Sequence, residues 1–213
     1  MINLRYILLV LLITGCSKES EIIAQSCDRE NVIVKNDVFH VNYSEVLEQP
    51  LWVIYTSTNR PKNVDRGSMN FYTVDGICTS NNEDYYRNIY DKGHMAPAAT
   101  FSDSMDHLKT TFSYLNCSLQ DQYLNRGEWR LLEEQERVWD ENENLTIKVI
   151  PVYSENSIQL STRAVVPDAY HKHIKFETQK MIKCYYFPNV KPTKGWEEHD
   201  NTNKCDILQD FTF

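Results

Sequence analysis

Short apolar runs rich in β-branched and aromatic residues alternate with polar stretches along most of this chain. Such runs, bounded by Asn, Pro and Lys, are typical of β-strands. Pro151 and Pro188 mark strand edges or ends, since proline donates no backbone hydrogen bond. The predicted strands cover residues 32–34, 38–41, 51–56, 145–153 and 181–187.

One clear helix interrupts this pattern, over residues 128–139. Apolar residues form a stripe there at helical spacing, and the remaining positions are charged. A mixed order of strands with one dominant helix favours the α+β class, with a central, largely antiparallel sheet flanked by helices. Residues 59–84 are polar and predict a long surface excursion between two strands.

Composition favours a globular chain. Its 213 residues, 41% hydrophobic and 24% charged, suffice for one domain with a sizeable core, and we expect that domain over residues 27–213. The formal charge of −8 does not indicate a nucleic-acid-binding surface, because such surfaces usually need basic residues that displace counterions. An acidic protein with one basic cleft is still compatible with this charge.

The first fifteen residues predict export. Arg5 precedes an apolar run over residues 6–14 that is too short for a permanent membrane span. The following Gly15-Cys16 resembles the end of a bacterial lipobox, which predicts a lipoprotein signal over residues 1–15, a lipid anchor on Cys16 and a tether over residues 16–26. We therefore expect a protein anchored in the cell envelope, at the outer membrane, facing the periplasm or the surface. The alternative is an ordinary signal cleaved a few residues later.

Five cysteines follow Cys16, an odd number, so at least one stays free or pairs between chains. Export makes disulfides plausible. The preferred pair is Cys184 with Cys205, and a second pairing is Cys27 with Cys78. Cys117 fits a small buried residue better than a nucleophile. The sequence leaves the pairing open.

Two segments contain the candidate chemistry. The first is Asp91-Lys92-Gly93-His94, followed by Met95-Ala96-Pro97. His94 is the natural general base, because an imidazole accepts a proton from water at neutral pH, and Gly93 has the backbone freedom to present its ring. The second segment contains Asn116, Asn125 and Glu133, amides and an acid at spacings suited to one hard cation.

Together these segments resemble the DNA/RNA non-specific endonuclease family, whose ββα-metal site contains an Asp-Arg-Gly-His motif. The resemblance implies that Asn125 is the Mg²⁺ ligand, with Mn²⁺ as a possible substitute, and that Glu133 acts through a water on that ion. It implies that Asn116 hydrogen-bonds in the active site and helps to hold His94 or the substrate. Asp91, Gln120 and Arg137 complete the resemblance as supporting residues on the substrate side.

This chain departs from the family motif at Lys92, where an Arg is usual. Lysine keeps the positive charge but loses the two-pronged grip of a guanidinium on phosphate, so we expect weaker clamping rather than loss of activity. A second family Arg lies upstream of the motif. Arg60, Lys62 and Arg66 compete for that place, and Arg66 is favoured.

The function that the resemblance implies is metal-dependent hydrolysis of phosphodiester bonds in DNA and RNA, with little sequence specificity. Lys92 and the acidic charge motivate an alternative, a catalytically weak or inactive surface lipoprotein that binds nucleic acid or protein on the same scaffold. A third possibility is a phosphodiesterase for a smaller substrate. The sequence does not decide between DNA and RNA or define the oligomeric state.

Overall fold

The computed structural model describes residues 26–203 and 211. The predicted signal, Cys16, nearly all of the tether and Cys205 lie outside the described residues. Within residues 26–203 and 211, no helix has the length and apolar character needed to cross a bilayer.

Antiparallel strands form the body of the molecule. The strands of the described residues are β1 (Val32–Lys35), β2 (Phe39–Ser44), β3 (Gln49–Ser57), β4 (Tyr90–His94), β5 (Cys117–Asp121), β6 (Leu145–Val152), β7 (Ala169–Phe176) and β8 (Met181–Pro188). Six of them pair in the order β1-β2-β3-β6-β7-β8, and β4 pairs with β5 in a separate two-stranded sheet. The predicted α+β class with an antiparallel sheet is confirmed.

The helices are α1 (Met105–Thr111), α2 (Gln122–Leu124) and α3 (Arg130–Trp139). A π-helical segment, Asn125–Trp129, joins α2 to α3. The helical path therefore begins at Gln122, earlier than the predicted start at residue 128. Asp121 caps it, because its carboxylate accepts hydrogen bonds from the backbone N–H of Tyr123 and Leu124. Short 3₁₀ turns cover Asn82–Tyr85, Ala98–Phe101, Tyr114–Asn116 and Trp196–His199.

The main core lies between the large sheet and the helical segment that follows β5. Trp129 and Leu132 pack in the same buried cluster as Val53, Ile147 and Val149 of the sheet. Pro151 is tolerated within β6 because the pairing with β3 ends at Val149, so the proline lies beyond the last pair on that side.

The small sheet positions the candidate site. β4 and β5 are antiparallel, with Asp91 opposite Gln120 and His94 opposite Cys117. The chain then enters α2 directly, so the paired strands are followed at once by a helix, as in a ββα motif.

One disulfide is described, between Cys27 and Cys78, whose Cα atoms are 5.5 Å apart. This pairing is confirmed, and it ties the start of the fold to the excursion over residues 59–84. Cys184 is also disulfide-bonded, and its predicted partner Cys205 lies outside the described residues. Cys117 is free and buried, and burial raises the pKa of its thiol to about 12, so it is no thiolate nucleophile at neutral pH.

Candidate active site

A cleft of about 760 Å³ lies where the excursion over residues 59–84, β4 and the helical segment after β5 meet. His94, Asn125 and Glu133 all line this cleft. The structure therefore brings together residues from the two candidate segments. Asp91, Lys92 and Arg66 line the same cleft.

The His94 ring packs against two aromatic rings that also contact each other. The centroids of Phe71 and Phe112 each lie 4.8 Å from the centroid of the imidazole. Burial, reinforced by the positive charge of Arg66, lowers the pKa of His94 to about 3. The imidazole is therefore neutral at pH 7 and has a lone pair available to accept a proton.

Gly93 is required by close packing rather than by special backbone angles. It is absent from the residues with positive φ, so the conformational freedom expected from the sequence is not what the position uses. A Cβ atom built on Gly93 would lie 2.4 Å from Gln120 Oε1 and 2.7 Å from Gln120 Cβ. The side chain of Gln120 thus crosses directly over Gly93.

Gln120 and Asn116, both predicted as site residues, are fully buried and do not line the cleft. Asn116 instead holds the backbone just after His94. Its Oδ1 accepts a hydrogen bond from Ala96 N at 2.7 Å, and its Nδ2 donates to Ala96 O at 2.9 Å. The Gln120 side chain lies against Gly93 of β4, and neither of its amide atoms has a hydrogen-bond partner among the described residues.

Asp91 orients the candidate metal ligand. Asn125 Nδ2 donates to Asp91 Oδ2 at 2.9 Å, which fixes the amide so that its Oδ1 is the atom left for another partner. Arg126 binds both carboxylate oxygens, donating through Nε to Asp91 Oδ2 at 2.7 Å and through Nη2 to Oδ1 at 2.6 Å. Asp91, predicted on the substrate side, therefore positions Asn125 and Arg126.

The donors of this cleft fit a hard divalent cation with few protein ligands. Among the described residues, no three His, Cys, Asp or Glu side chains form a metal-binding group. Mg²⁺ usually keeps several waters and is often held by only one or two protein oxygens. The Asn125 amide oxygen, fixed by Asp91, and the Glu133 carboxylate line the same cleft and match that preference.

Glu133 is backed by a buried ionic cluster. Lys172 Nζ lies 3.9 Å from Glu133 Oε1 and 2.7 Å from Glu136 Oε1. Burial raises the pKa of Glu133 to about 7, an effect opposed by the positive charge of Lys172 and assisted by the negative charge of Glu136. Arg137, predicted on the substrate side, does not line the cleft and acts on the pKa of Glu133 by charge.

Lys92 is enclosed by aromatic rings on the cleft wall. Its Nζ lies 5.7 Å from the ring centroids of Phe71 and Tyr85 and 5.5 Å from that of Tyr114. The ammonium also donates a hydrogen bond to Asn82 Oδ1. A compact ammonium suits such a cage, and cation–π attraction holds its charge in place.

Of the three basic residues that compete upstream, Arg66 is the one that lines the cleft. Its guanidinium lies 5.0 Å from the ring centroid of Phe112, next to His94. Arg60 instead lies 3.5 Å from Asp103 and packs over Phe101. The charge of Lys62 acts on Asp140, away from the cleft.

Sequence reasoning missed several residues of the site. Arg126 and Arg130 line the cleft, and they could have been found because they flank or follow Asn125 on the same helical path. Phe71, Tyr114 and the buried Lys172 have no comparable signal, because they lie 20 or more residues along the chain from Lys92 and Glu133.

Comparison with known proteins supports the resemblance. Residues 19–205 match the sequence model of a family described as DNA/RNA non-specific endonuclease. A curated relative, the mitochondrial nuclease EXOG of Danio rerio, is 31% identical over 98 residues, which cover 44% of this chain and 29% of EXOG. The matched part thus spans less than a third of that relative.

The fold also matches a solved structure. A chain of the EndoG/EndoGI complex, determined to explain the mechanism of EndoG inhibition, superposes with a TM-score of 0.71 at 23% identity. The match covers 79% of this chain and 79% of that chain. At this identity the likeness concerns the fold.

Proposed function

The chain belongs to the DNA/RNA non-specific endonuclease family, and from that premise we propose that it is an exported, metal-dependent endonuclease. It hydrolyses phosphodiester bonds of DNA and RNA with little sequence specificity. The observation on which this proposal rests is that a neutral His94, the oriented amide of Asn125 and a group of cations line one cleft. The nuclease activity named for the EXOG relative supports it.

The charge of the cleft differs from that of the whole chain. Its lining contains more basic than acidic side chains, namely Arg66, Lys92, Arg126 and Arg130 against Asp91 and Glu133. The complete chain has a formal charge of −8. A local positive potential attracts a phosphate backbone to the cleft, whereas the acidic remainder of the surface repels that backbone.

In the proposed reaction, the neutral imidazole of His94 accepts a proton from a water molecule. The water oxygen forms a bond to phosphorus while the bond from phosphorus to the leaving sugar oxygen breaks. Lys92 and Arg66 place positive charge beside the negative phosphate. As the phosphate enters, its charge also favours protonation of His94 and so raises the low pKa of that base towards neutrality.

Asn125 would hold the cation directly, through Oδ1, and Glu133 would act through a water on that ion. When bound, Mg²⁺ or Mn²⁺ supplies positive charge that stabilises the transition state and the leaving oxygen. Asp91 keeps the Asn125 amide in one orientation, as an outer partner of a ligand typically does. Recognition through phosphate and sugar is shared by all sequences and explains little base preference.

Export and anchoring form the second half of the proposal. The apolar run over residues 6–14 and the Gly15-Cys16 pair support a lipid anchor on Cys16 in the bacterial cell envelope, at the outer membrane. A disulfide between Cys27 and Cys78 fits an oxidising compartment.

The test is degradation of plasmid DNA and of RNA by the mature protein, purified in detergent, with Mg²⁺. His94→Ala is expected to lower the rate by about a hundred-fold or more, and EDTA to abolish it. His107→Ala is the matched control, since His107 lies on α1, outside the cleft, and pairs with Asp103. Activity that survives both His94→Ala and EDTA overturns the proposal, and binding without turnover indicates the non-catalytic alternative.

A further inference from the structure

An exposed line of basic and aromatic side chains extends the cleft along the helical path that begins at Gln122. Three of its residues, Tyr123, Arg126 and Arg130, belong to that path, and the fourth, Lys191, follows β8. We call these four residues the helix track. Arg126 and Arg130 line the cleft, whereas Tyr123 and Lys191 lie beyond it. The track is therefore continuous with the candidate active site at one end and open to solvent at the other.

Contacts between these residues place them on one side of the helical path. Tyr123 and Arg126 are one helical turn apart, and the pKa of Arg126 is raised by Asp91 and, to a smaller extent, by Tyr123. Arg130 Nε donates to the backbone oxygen of Arg126 at 3.1 Å. Lys191 Nζ lies 4.9 Å from the ring centroid of Tyr123.

Tyr123 is a large aromatic residue that remains 54% exposed next to a cation. Its ring makes no contribution to the core, whereas Leu124, its neighbour, is fully buried. An exposed aromatic ring beside basic side chains is the combination that binds single-stranded nucleic acid, since bases stack on the ring and phosphates meet the cations.

We infer that the helix track binds a single-stranded stretch of nucleic acid as it leaves the cleft, with a base on Tyr123 and a phosphate at Lys191. This inference rests on the proposed function and adds a substrate class to it. Single strands are favoured because a base inside a duplex is already stacked and cannot lie on the ring.

Binding is measured with the mature protein in detergent, by fluorescence anisotropy of a labelled oligothymidylate of about 20 nucleotides in EDTA, which prevents hydrolysis. The variants are Tyr123→Ala, Tyr123→Phe and Lys191→Gln. Lys148→Gln is the matched control, because Lys148 also lies near an aromatic ring, that of Trp52, but outside the cleft and the track.

Tyr123→Ala is expected to weaken binding by about five-fold or more, while Tyr123→Phe, which keeps the ring, binds like the unaltered protein. Lys191→Gln is expected to weaken binding and to reduce the slope of log affinity against log salt by about 0.7, the loss of one phosphate contact on a single strand. Lys148→Gln leaves both quantities unchanged.

Unchanged affinity and salt slope in Tyr123→Ala and Lys191→Gln overturn the inference, as does failure of the unaltered protein to bind the oligonucleotide. A parallel hydrolysis assay with Mg²⁺ separates the two proposals. Absence of hydrolysis with the expected binding pattern contradicts the proposed nuclease alone. Hydrolysis without any effect of these variants on binding contradicts the helix track alone.

Discussion

Lys172 Nζ lies 2.7 Å from Glu136 Oε1, and the side chains of both residues are completely buried beneath the cleft. Lys172 also lies 4.3 Å from the ring centroid of Trp129, and Glu136 accepts a hydrogen bond from the Tyr55 hydroxyl at 2.8 Å. The pair therefore joins the helical path of the site to the large sheet, directly behind Glu133.

Replacement of Lys172 by Met is expected to destabilise the fold by about 3–5 kcal/mol, because the Glu136 carboxylate would remain buried without its counter-charge. Urea denaturation measures the change. Adding Glu136→Leu should recover most of the loss, since an apolar pair needs no charge compensation. Lys183→Met on β8 is the control, because Lys183 is only partly buried. A Lys172→Met variant as stable as this control would show that the ion pair contributes little.

Asp91→Asn should impair cation binding more than chemistry. The variant weakens the acceptor that orients the Asn125 amide and holds Arg126. Loss of such an outer partner typically costs about 10–100-fold in metal affinity, so the Mg²⁺ concentration for half-maximal rate should rise by that factor. Rates measured across a Mg²⁺ titration provide the test. Asp75→Asn, at an exposed position, is the control, and equal half-saturation in the two variants would contradict the positioning role.

Gly93→Ala is expected to destabilise the protein by about 1–3 kcal/mol, because the new methyl group would overlap Gln120. Thermal or urea denaturation measures the loss. Adding Gln120→Ala removes the 2.4 Å contact with Oε1 but retains the 2.7 Å contact with Cβ, so only part of the stability should return. Full stability of the single variant would mean that the two strands separate easily at this point.

The raised pKa of Glu133 predicts a pH-dependent stability. Burial raises this pKa from 4.5 to about 7, so between these values the folded protein holds a proton that the unfolded chain has lost. The contribution of Glu133 to stability is therefore fully present below pH 4.5 and is lost as the pH rises through about 7.

Glu133→Gln removes this dependence. The free energy of unfolding of the variant minus that of the unaltered protein should increase by up to about 3 kcal/mol from pH 4.5 to a pH of about 8. Urea denaturation in EDTA at both pH values measures the gain. Glu134→Gln, an exposed neighbour paired with Arg130, is the control. If the free energies of unfolding of Glu133→Gln and the unaltered protein differ by the same amount at both pH values, the proposed pKa shift of Glu133 is wrong.

Much of the fold could be predicted from the chain because strand patterns are local. The runs at residues 32–34, 51–56 and 145–153 correspond to observed strands. Their apolar residues bury one face of a sheet whichever strand pairs with them, so the pattern is visible in the sequence alone. The start of the helical path at Gln122 was missed. Asn125-Arg126-Gly127 has no apolar period, and a glycine disfavours a helix unless neighbouring structure stabilises it.

The sequence by itself determined the family, and it placed the candidate residues His94, Asn125 and Glu133 in two short segments with a recognisable order. Only the tertiary structure decided which side chains reach the cleft. Asn116, Gln120 and Arg137 belong to the same segments but do not line the cleft. Arg126 and Arg130 do line it. The aromatic cage of Lys92 and the Lys172–Glu136 pair depend on strands and loops that meet only after folding. Burial and charge at such contacts act through space, so no local pattern in the chain encodes them.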